Sequence, residues 1–167
     1  MMNGMVKQSD ITDISATIYK ESRRLITLVN DIIKISELDS RSSYETEELD
    51  LYDLCDEAVT VLEDAAERKG VSVELEGTRT KINGVRQIVF EMIYNICDNA
   101  IKYNKGSGSV KIELSEADGR ANVSVKDTGI GIPYDHQSRV FERFYRVDKS
   151  HSKQTGGTGL GLSIVKH

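Results

Sequence analysis

Two glycine-bearing segments near the C-terminus constrain this chain more than any other feature: Asp127-Thr-Gly-Ile-Gly-Ile-Pro133 and Gly156-Gly-Thr-Gly-Leu-Gly-Leu162. Glycine at this spacing lets backbone N–H groups come close to a bound anion. The first segment adds a fixed carboxylate, Asp127. A carboxylate beside one loop, with phosphate-type amides in the other, implies a nucleotide held at both ends. The fold must bring the two loops together across the polar, basic stretch that separates them.

Upstream, residues 11–38 read as one long helix. Ile11, Ile14, Ile18, Leu25, Leu28, Ile32 and Ile35 fill seven of eight successive heptad a and d positions, with Glu21 the exception. A sustained 3.5-residue repeat marks a coiled-coil or helical-bundle seam. Asp39-Ser-Arg-Ser-Ser43 ends it as a linker. A second unit starts near Tyr44. Glu47 to Leu51 reads as a short strand. Tyr52 to Lys69 reads as a helix with Leu54, Ala58, Val61, Leu62 and Ala65 on one side and Gly70 as C-cap. Val71–Leu75, Val110–Leu114 and Ala121–Val125 alternate with period two and read as strands, the last two joined by an Asp118-Gly119 hairpin turn. Asn83 reads as the N-cap of a helix running to about Asn104. Helices mixed with antiparallel strands predict an α+β chain, a two-layer α/β sandwich preceded by the long bundle helix.

Bulk properties agree with a folded soluble chain: 167 residues, 38% hydrophobic and 29% charged, with a net charge of −5. No long basic run is present, so nucleic acid is not expected as a partner. No apolar run approaches the roughly 20 residues of a membrane span. Cys55 and Cys97 lack metal-ligand spacing and read as buried thiols in a reducing, cytoplasmic setting.

The helix toward Asn104 carries the chemistry. Asn95, Asn99, Lys102 and Tyr103 fall on one face, with Glu91 a turn earlier, whereas Ile88, Val89, Met92, Ile93, Ile96 and Ala100 form the apolar side that packs on the sheet. Two amides, an ammonium and a phenol in one stripe need partners. Mg²⁺ and a triphosphate supply them: an amide oxygen is a hard ligand suited to Mg²⁺, and lysine offers a point charge to phosphate.

Asn95-Ile-Cys-Asp-Asn99-Ala-Ile-Lys102-Tyr103 resembles the N box of sensor histidine kinases. Asp127-Thr-Gly-Ile-Gly-Ile-Pro133 resembles their G1 box, Phe141-Glu-Arg-Phe-Tyr-Arg146 their F box and Gly157-Thr-Gly-Leu-Gly-Leu162 their G2 box. All four stand in family order over roughly residues 11–167. The resemblance implies the Bergerat-type ATP-binding fold shared with gyrase and MutL ATPases, with ATP and Mg²⁺ as cofactors. It implies that Asn99 coordinates Mg²⁺ with Asn95 in support, that Lys102 and Arg146 position phosphate, and that Tyr103 packs near adenine and ribose. Asp127 accepts from the adenine amino group, and Gly129 and Gly131 let that loop close. Gly157, Thr158, Gly159, Leu160 and Gly161 present backbone amides to phosphate at the start of the last helix. Residues 147–158 correspond to a mobile ATP lid, with Phe141 and Phe144 as its core anchors. In the gyrase and MutL branch a glutamate stands one turn before the metal-binding asparagine. Asn95 occupies that place here, which favours phosphoryl transfer to a protein over hydrolysis.

The resemblance also marks what is missing. Residues 1–43 resemble only the second helix and linker of the dimerisation hairpin, without the phosphoacceptor histidine. His136, His151 and His167 all lie in the nucleotide-binding half. Residues 44–167 correspond to the catalytic domain, cut before its last strands, which predicts an exposed sheet edge, marginal stability and weakened nucleotide binding. The expectation is a soluble cytoplasmic fragment of a two-component sensor kinase whose parent is anchored in the membrane. The parent pairs with a second protomer, autophosphorylates a histidine and relays the phosphoryl group to a response regulator. The fragment alone is not expected to autophosphorylate. Other readings are a nucleotide-binding or self-associating module without turnover, and a serine kinase sharing the ATP fold.

Overall fold

The computed structural model describes residues 8–39, 44–147 and 158–166. A 32-residue helix, α1 (Gln8–Asp39), leads into the mixed unit. There follow β1 (Glu47–Asp50), α2 (Leu51–Lys69), β2 (Ser72–Gly77), β3 (Lys81–Gly84) and α3 (Arg86–Lys102). The chain closes with the hairpin β4 (Ser109–Ala117) and β5 (Arg120–Asp127), the single turn α4 (Tyr134–Gln137) and α5 (Gly161–Lys166).

The strands form two sheets. β1 and β3 pair antiparallel, and the second sheet has the order β2-β4-β5. β4 and β5 are antiparallel through the turn at Asp118 (φ 55°) and Gly119 (φ 70°), both left-handed as a tight hairpin turn requires. β2 runs parallel to β4, not antiparallel as the strand pattern alone suggests. A parallel pair needs a long crossover, and β3 with α3 supplies it.

The layering follows from side-chain periodicity. On β4, Val110, Ile112 and Leu114 alternate inward and are buried. Val73 and Leu75 of β2, with Ala121, Val123 and Val125 of β5, pack against the same core. α2 contributes Leu51, Leu54, Cys55, Ala58, Leu62 and Ala66; α3 contributes Ile93, Cys97, Ala100 and Ile101. Helices covering a sheet give the expected two-layer α+β arrangement. α2 starts where the Asp50 carboxylate accepts the Tyr52 N–H at 2.9 Å and stops at Gly70 (φ 68°).

Several local expectations are corrected. Asn83 is not a helix cap: it lies in β3 opposite Glu48, and Val85 precedes α3 without a side-chain cap. A four-residue strand beside a helix carries too short an alternation to be distinguished from a helix start. α3 stops at Lys102, leaving Tyr103 as its cap and Asn104 beyond it. Val61 is 58% exposed, because the α2 stripe turns toward Ala66. On α3, Cys97 and Ile101 are buried more deeply than Ile88 and Ile96, which are half-buried. Phe141 and Phe144 are 40% and 58% exposed and so do not anchor a core.

Candidate nucleotide site

The C-terminal half of α3 and its cap Tyr103 meet both glycine loops, and the F-box segment joins them through the second. Asn95 Nδ2 donates back to the Glu91 carbonyl at 2.8 Å, which fixes the amide and turns its oxygen outward toward α5. A Cβ at Gly161 would stand 2.9 Å from Asn95 Oδ1, so the second glycine loop reaches the start of α5 directly over this asparagine. One turn on, Asn99 is half-buried, and no hydrogen bond joins its side chain to another described residue. Unlike Asn95, it has neither end of its amide tied down by a described residue, which leaves its oxygen for an external ligand.

At the end of α3 the charge balance favours an anion. The Lys69 ammonium donates to the Lys102 carbonyl oxygen. Burial, helped by the nearby Lys102 charge, holds Lys69 below the usual ammonium range. Burial pushes the Asp98 carboxyl up, with Lys102 opposing it. Two ammonium groups and a carboxyl reluctant to ionise share one helix end, which a phosphate would relieve.

Tyr103 links this end to the first glycine loop. Its carbonyl accepts the Ile130 N–H at 3.1 Å. Between them, Gly129 donates its N–H to Asp127 Oδ1 at 2.8 Å. A Cβ at Gly129 would lie 2.6 Å from both that carboxylate oxygen and the Tyr103 carbonyl, closer than real Cβ atoms come. Only glycine fits here. Gly131 follows with φ 70°. Asp127 thus stands at the end of β5 with one oxygen held by the loop itself.

The F-box segment meets the second glycine loop through backbone. Phe144 N–H donates to the Gly159 carbonyl at 2.9 Å, and both residues have positive φ, 64° and 77°. A Cβ on Gly159 would stand 2.9 Å from the Phe144 carbonyl carbon and 3.0 Å from the Tyr145 oxygen. Arg146, half-buried, follows directly. Its neighbour Tyr145 is held by the His136 ring and by the Arg139 guanidinium, 4.3 Å from its ring centre. Leu160 is fully buried and Ser163 Oγ donates to its carbonyl at 2.6 Å. The structure therefore brings together Asn95, Asn99, Lys102, Tyr103, Asp127, Gly129, Gly159 and Gly161, and sets Gly131, Arg146, Thr158 and Leu160 in the adjoining turns. Gly157 and most of the proposed lid, residues 148–157, lie outside the described residues.

Sequence reasoning missed two sets of residues. Asn104 and Thr128 form a half-buried clasp behind the first loop. Leu28 and Asp31 of α1 contact the second loop and α5: Leu28 packs against Leu160 and Ile164, and Asp31 accepts from Thr158. The asparagine directly after the Lys102-Tyr103 pair was a readable signal for the first set, because asparagine is common where chains leave helices. Nothing local signals the second.

The sequence model for histidine kinase-, DNA gyrase B- and HSP90-like ATPases matches residues 84–167, from the end of β3 through both glycine loops. The chain belongs to this ATPase family. Among curated proteins it is 38% identical to the sensor-like histidine kinase SenX3 of Mycolicibacterium smegmatis, over 88% of this chain and 39% of that protein. The solved mycobacterial sensor histidine kinase MprB is 31% identical over 73% of this chain and 76% of that one, with a TM-score of 0.62. Full-length ShkA, solved in complex with AMPPNP, is 26% identical over 98% of this chain and 34% of that one, with a TM-score of 0.77. The chain thus spans 39% of the length of SenX3 and 35% of that of the Synechocystis sensor kinase RppB. No helix among the described residues is long and apolar enough to cross a membrane.

The arrangement fits a nucleotide with a divalent ion. The described residues contain no group of three or more His, Cys, Asp or Glu side chains able to hold a metal ion. Mg²⁺ bound here would take one ligand from Asn99 and the rest from phosphate and water, which is how this ion is commonly held.

Proposed function

We propose that this chain is the ATP-binding part of a sensor histidine kinase, joined to the second helix of its dimerisation hairpin. The observation that carries this is the joining of the four motifs: Tyr103, at the end of α3, holds the first glycine loop, Asn95 of α3 abuts the second, and the F-box segment pairs with Gly159 of that second loop. Asp127 reads the adenine amino group with the oxygen that Gly129 does not occupy. Lys102 and Arg146 hold phosphate, and the amides of residues 157–161 receive its oxygens at the start of α5. Asn99 ligates Mg²⁺, which when bound neutralises phosphate charge.

In the whole protein a histidine nitrogen attacks the γ-phosphorus. A P–N bond forms, the bond to the β,γ-bridging oxygen breaks, and ADP leaves with the electron pair. Relay to a response-regulator aspartate follows. The chain's contribution is positioning and electrostatics, which dominate phosphoryl transfer. Residues 1–43 supply part of the seam to a second protomer. Ile14, Ile18 and Leu25 of α1 are each more than half exposed, as an unpartnered bundle seam is. Membrane anchoring belongs to segments of the parent outside this chain.

The test is Asn99→Ala in the full-length protein. Loss of Mg·ATP-dependent autophosphorylation is expected, and phosphorylation at the original rate would overturn the metal-ligand role.

A further inference from the structure

We infer that Asn104 and Thr128 are positioning residues that set the adenine specificity of the site; the inference rests on the nucleotide-binding reading above. Asn104 is only 5% exposed although it lies just past the end of α3, and both the nitrogen and the oxygen of its amide are engaged locally. Its Nδ2 donates to the Ser109 carbonyl at 3.0 Å. Its Oδ1 accepts the Lys105 N–H at 2.9 Å and the Thr128 hydroxyl at 3.1 Å. Thr128 in turn accepts the Ser109 N–H on its hydroxyl at 2.8 Å and donates its own N–H to the Ser109 carbonyl at 3.1 Å.

Gly108 confirms how tightly the clasp closes. A Cβ there would overlap Asn104 Oδ1 and stand 2.7 Å from Thr128 Oγ1. The end of α3, the start of β4 and the first glycine loop are therefore joined through one amide and one hydroxyl.

The consequence concerns Asp127. The residue after it is fixed to Asn104 and Ser109, and Ile130, two residues further on, is fixed to the Tyr103 carbonyl at 3.1 Å. Gly129, between those two anchors, engages Asp127 Oδ1 at 2.8 Å. The carboxylate is held at its base by β5 and on one oxygen by the loop, so its second oxygen presents in a set direction. Discrimination between adenine and guanine depends on that direction, since one base offers an amino donor where the other offers a carbonyl acceptor. A loop free to shift by an ångström would bind phosphate as before and lose the choice of base.

Thr128 separates this role from a general contribution to folding, because it lies on the exposed side of the clasp. Thr128→Val removes the hydroxyl at nearly constant shape, and Thr128→Ser restores it. The measurement is calorimetric titration of the full chain with non-hydrolysable ATP and GTP analogues and with Mg·triphosphate, a probe lacking the base. Expected for Thr128→Val is a fall of about tenfold in the ATP-over-GTP preference, with triphosphate affinity within about twofold of wild type. Thr128→Ser is expected to recover most of the preference. Asn104→Ala is expected to match Thr128→Val wherever thermal unfolding shows it folded. An unchanged base preference in Thr128→Val, in a chain whose wild type prefers ATP, overturns the positioning role alone. An equal loss for triphosphate overturns it in favour of general loosening. A wild type with no preference between the two analogues overturns the adenine reading itself.

Discussion

The Thr158 hydroxyl donates to Asp31 Oδ2 at 2.6 Å, joining residues 127 positions apart in sequence. It ties the second glycine loop to α1, and Leu28, nearly one turn earlier, packs on Leu160 and Ile164 at the same place. A hydroxyl used in this way also orders its own loop, since Thr158 Oγ1 accepts the Leu160 N–H at 3.3 Å. Asp31→Ala removes a charged acceptor from a half-buried contact. Backbone amides of α5 are expected to exchange with solvent on the order of tenfold faster, with α2 and the buried half of α3 unchanged. Hydrogen-exchange mass spectrometry reads this directly, and unaltered exchange across residues 161–166 would show that the contact holds nothing.

Gly129→Ala places a methyl group 2.6 Å from two oxygens, one on Asp127 and one on the Tyr103 backbone. The loop must move, and it is exposed, so the cost falls on the site more than on the fold. Affinity for an ATP analogue is expected to drop at least about tenfold, while the thermal midpoint falls by no more than about 4 °C, the shift expected for roughly 1 kcal/mol. Calorimetric binding paired with thermal unfolding checks both halves. A variant binding as well as wild type would remove the close approach from the account.

Much of this was legible in the sequence, for identifiable reasons. The hairpin at Asp118-Gly119 was readable because a two-residue turn with consecutive positive φ values has a narrow vocabulary. Gly70 was readable as a cap for the same reason. The stripe Asn95, Asn99, Lys102 stood out because polar side chains at helical spacing on a packed helix demand partners. What stayed hidden was non-local. β3 is four residues long and exists because Leu49 and Ile82 meet across its ladder with β1, a pairing no window of sequence contains. The parallel register of β2 on β4 depends on where α3 returns the chain. Thr128 and Asp31 gained roles only when distant segments arrived beside them.

The two cysteines offer a test of the core. Cys55 and Cys97 are buried on facing helices, and burial pushes their thiols up to about 11 and about 12. The folded state therefore favours the protonated thiol. That contribution to stability is fully present below the ordinary thiol range near 9.0 and is lost as pH rises toward those values. Neither cysteine is expected to react with a thiol reagent at pH 8 in the native chain, and both are expected to react once denaturant is added. Thermal midpoints should also fall as pH is raised from 8 to 10. Rapid modification of the native protein at pH 8 would contradict the burial of α2 against α3.

The central claim is that Asn99 presents its amide oxygen to a Mg²⁺ ion carried on ATP. Isothermal titration of the full chain with a non-hydrolysable ATP analogue, with and without Mg²⁺ and in parallel for Asn99→Ala, tests it most directly. The account predicts that Mg²⁺ strengthens binding to the wild-type chain, and that Asn99→Ala loses that increment while keeping the metal-free affinity. Binding indifferent to Mg²⁺, an Asn99→Ala variant that keeps the whole increment, or no binding of the analogue at millimolar concentration would contradict it.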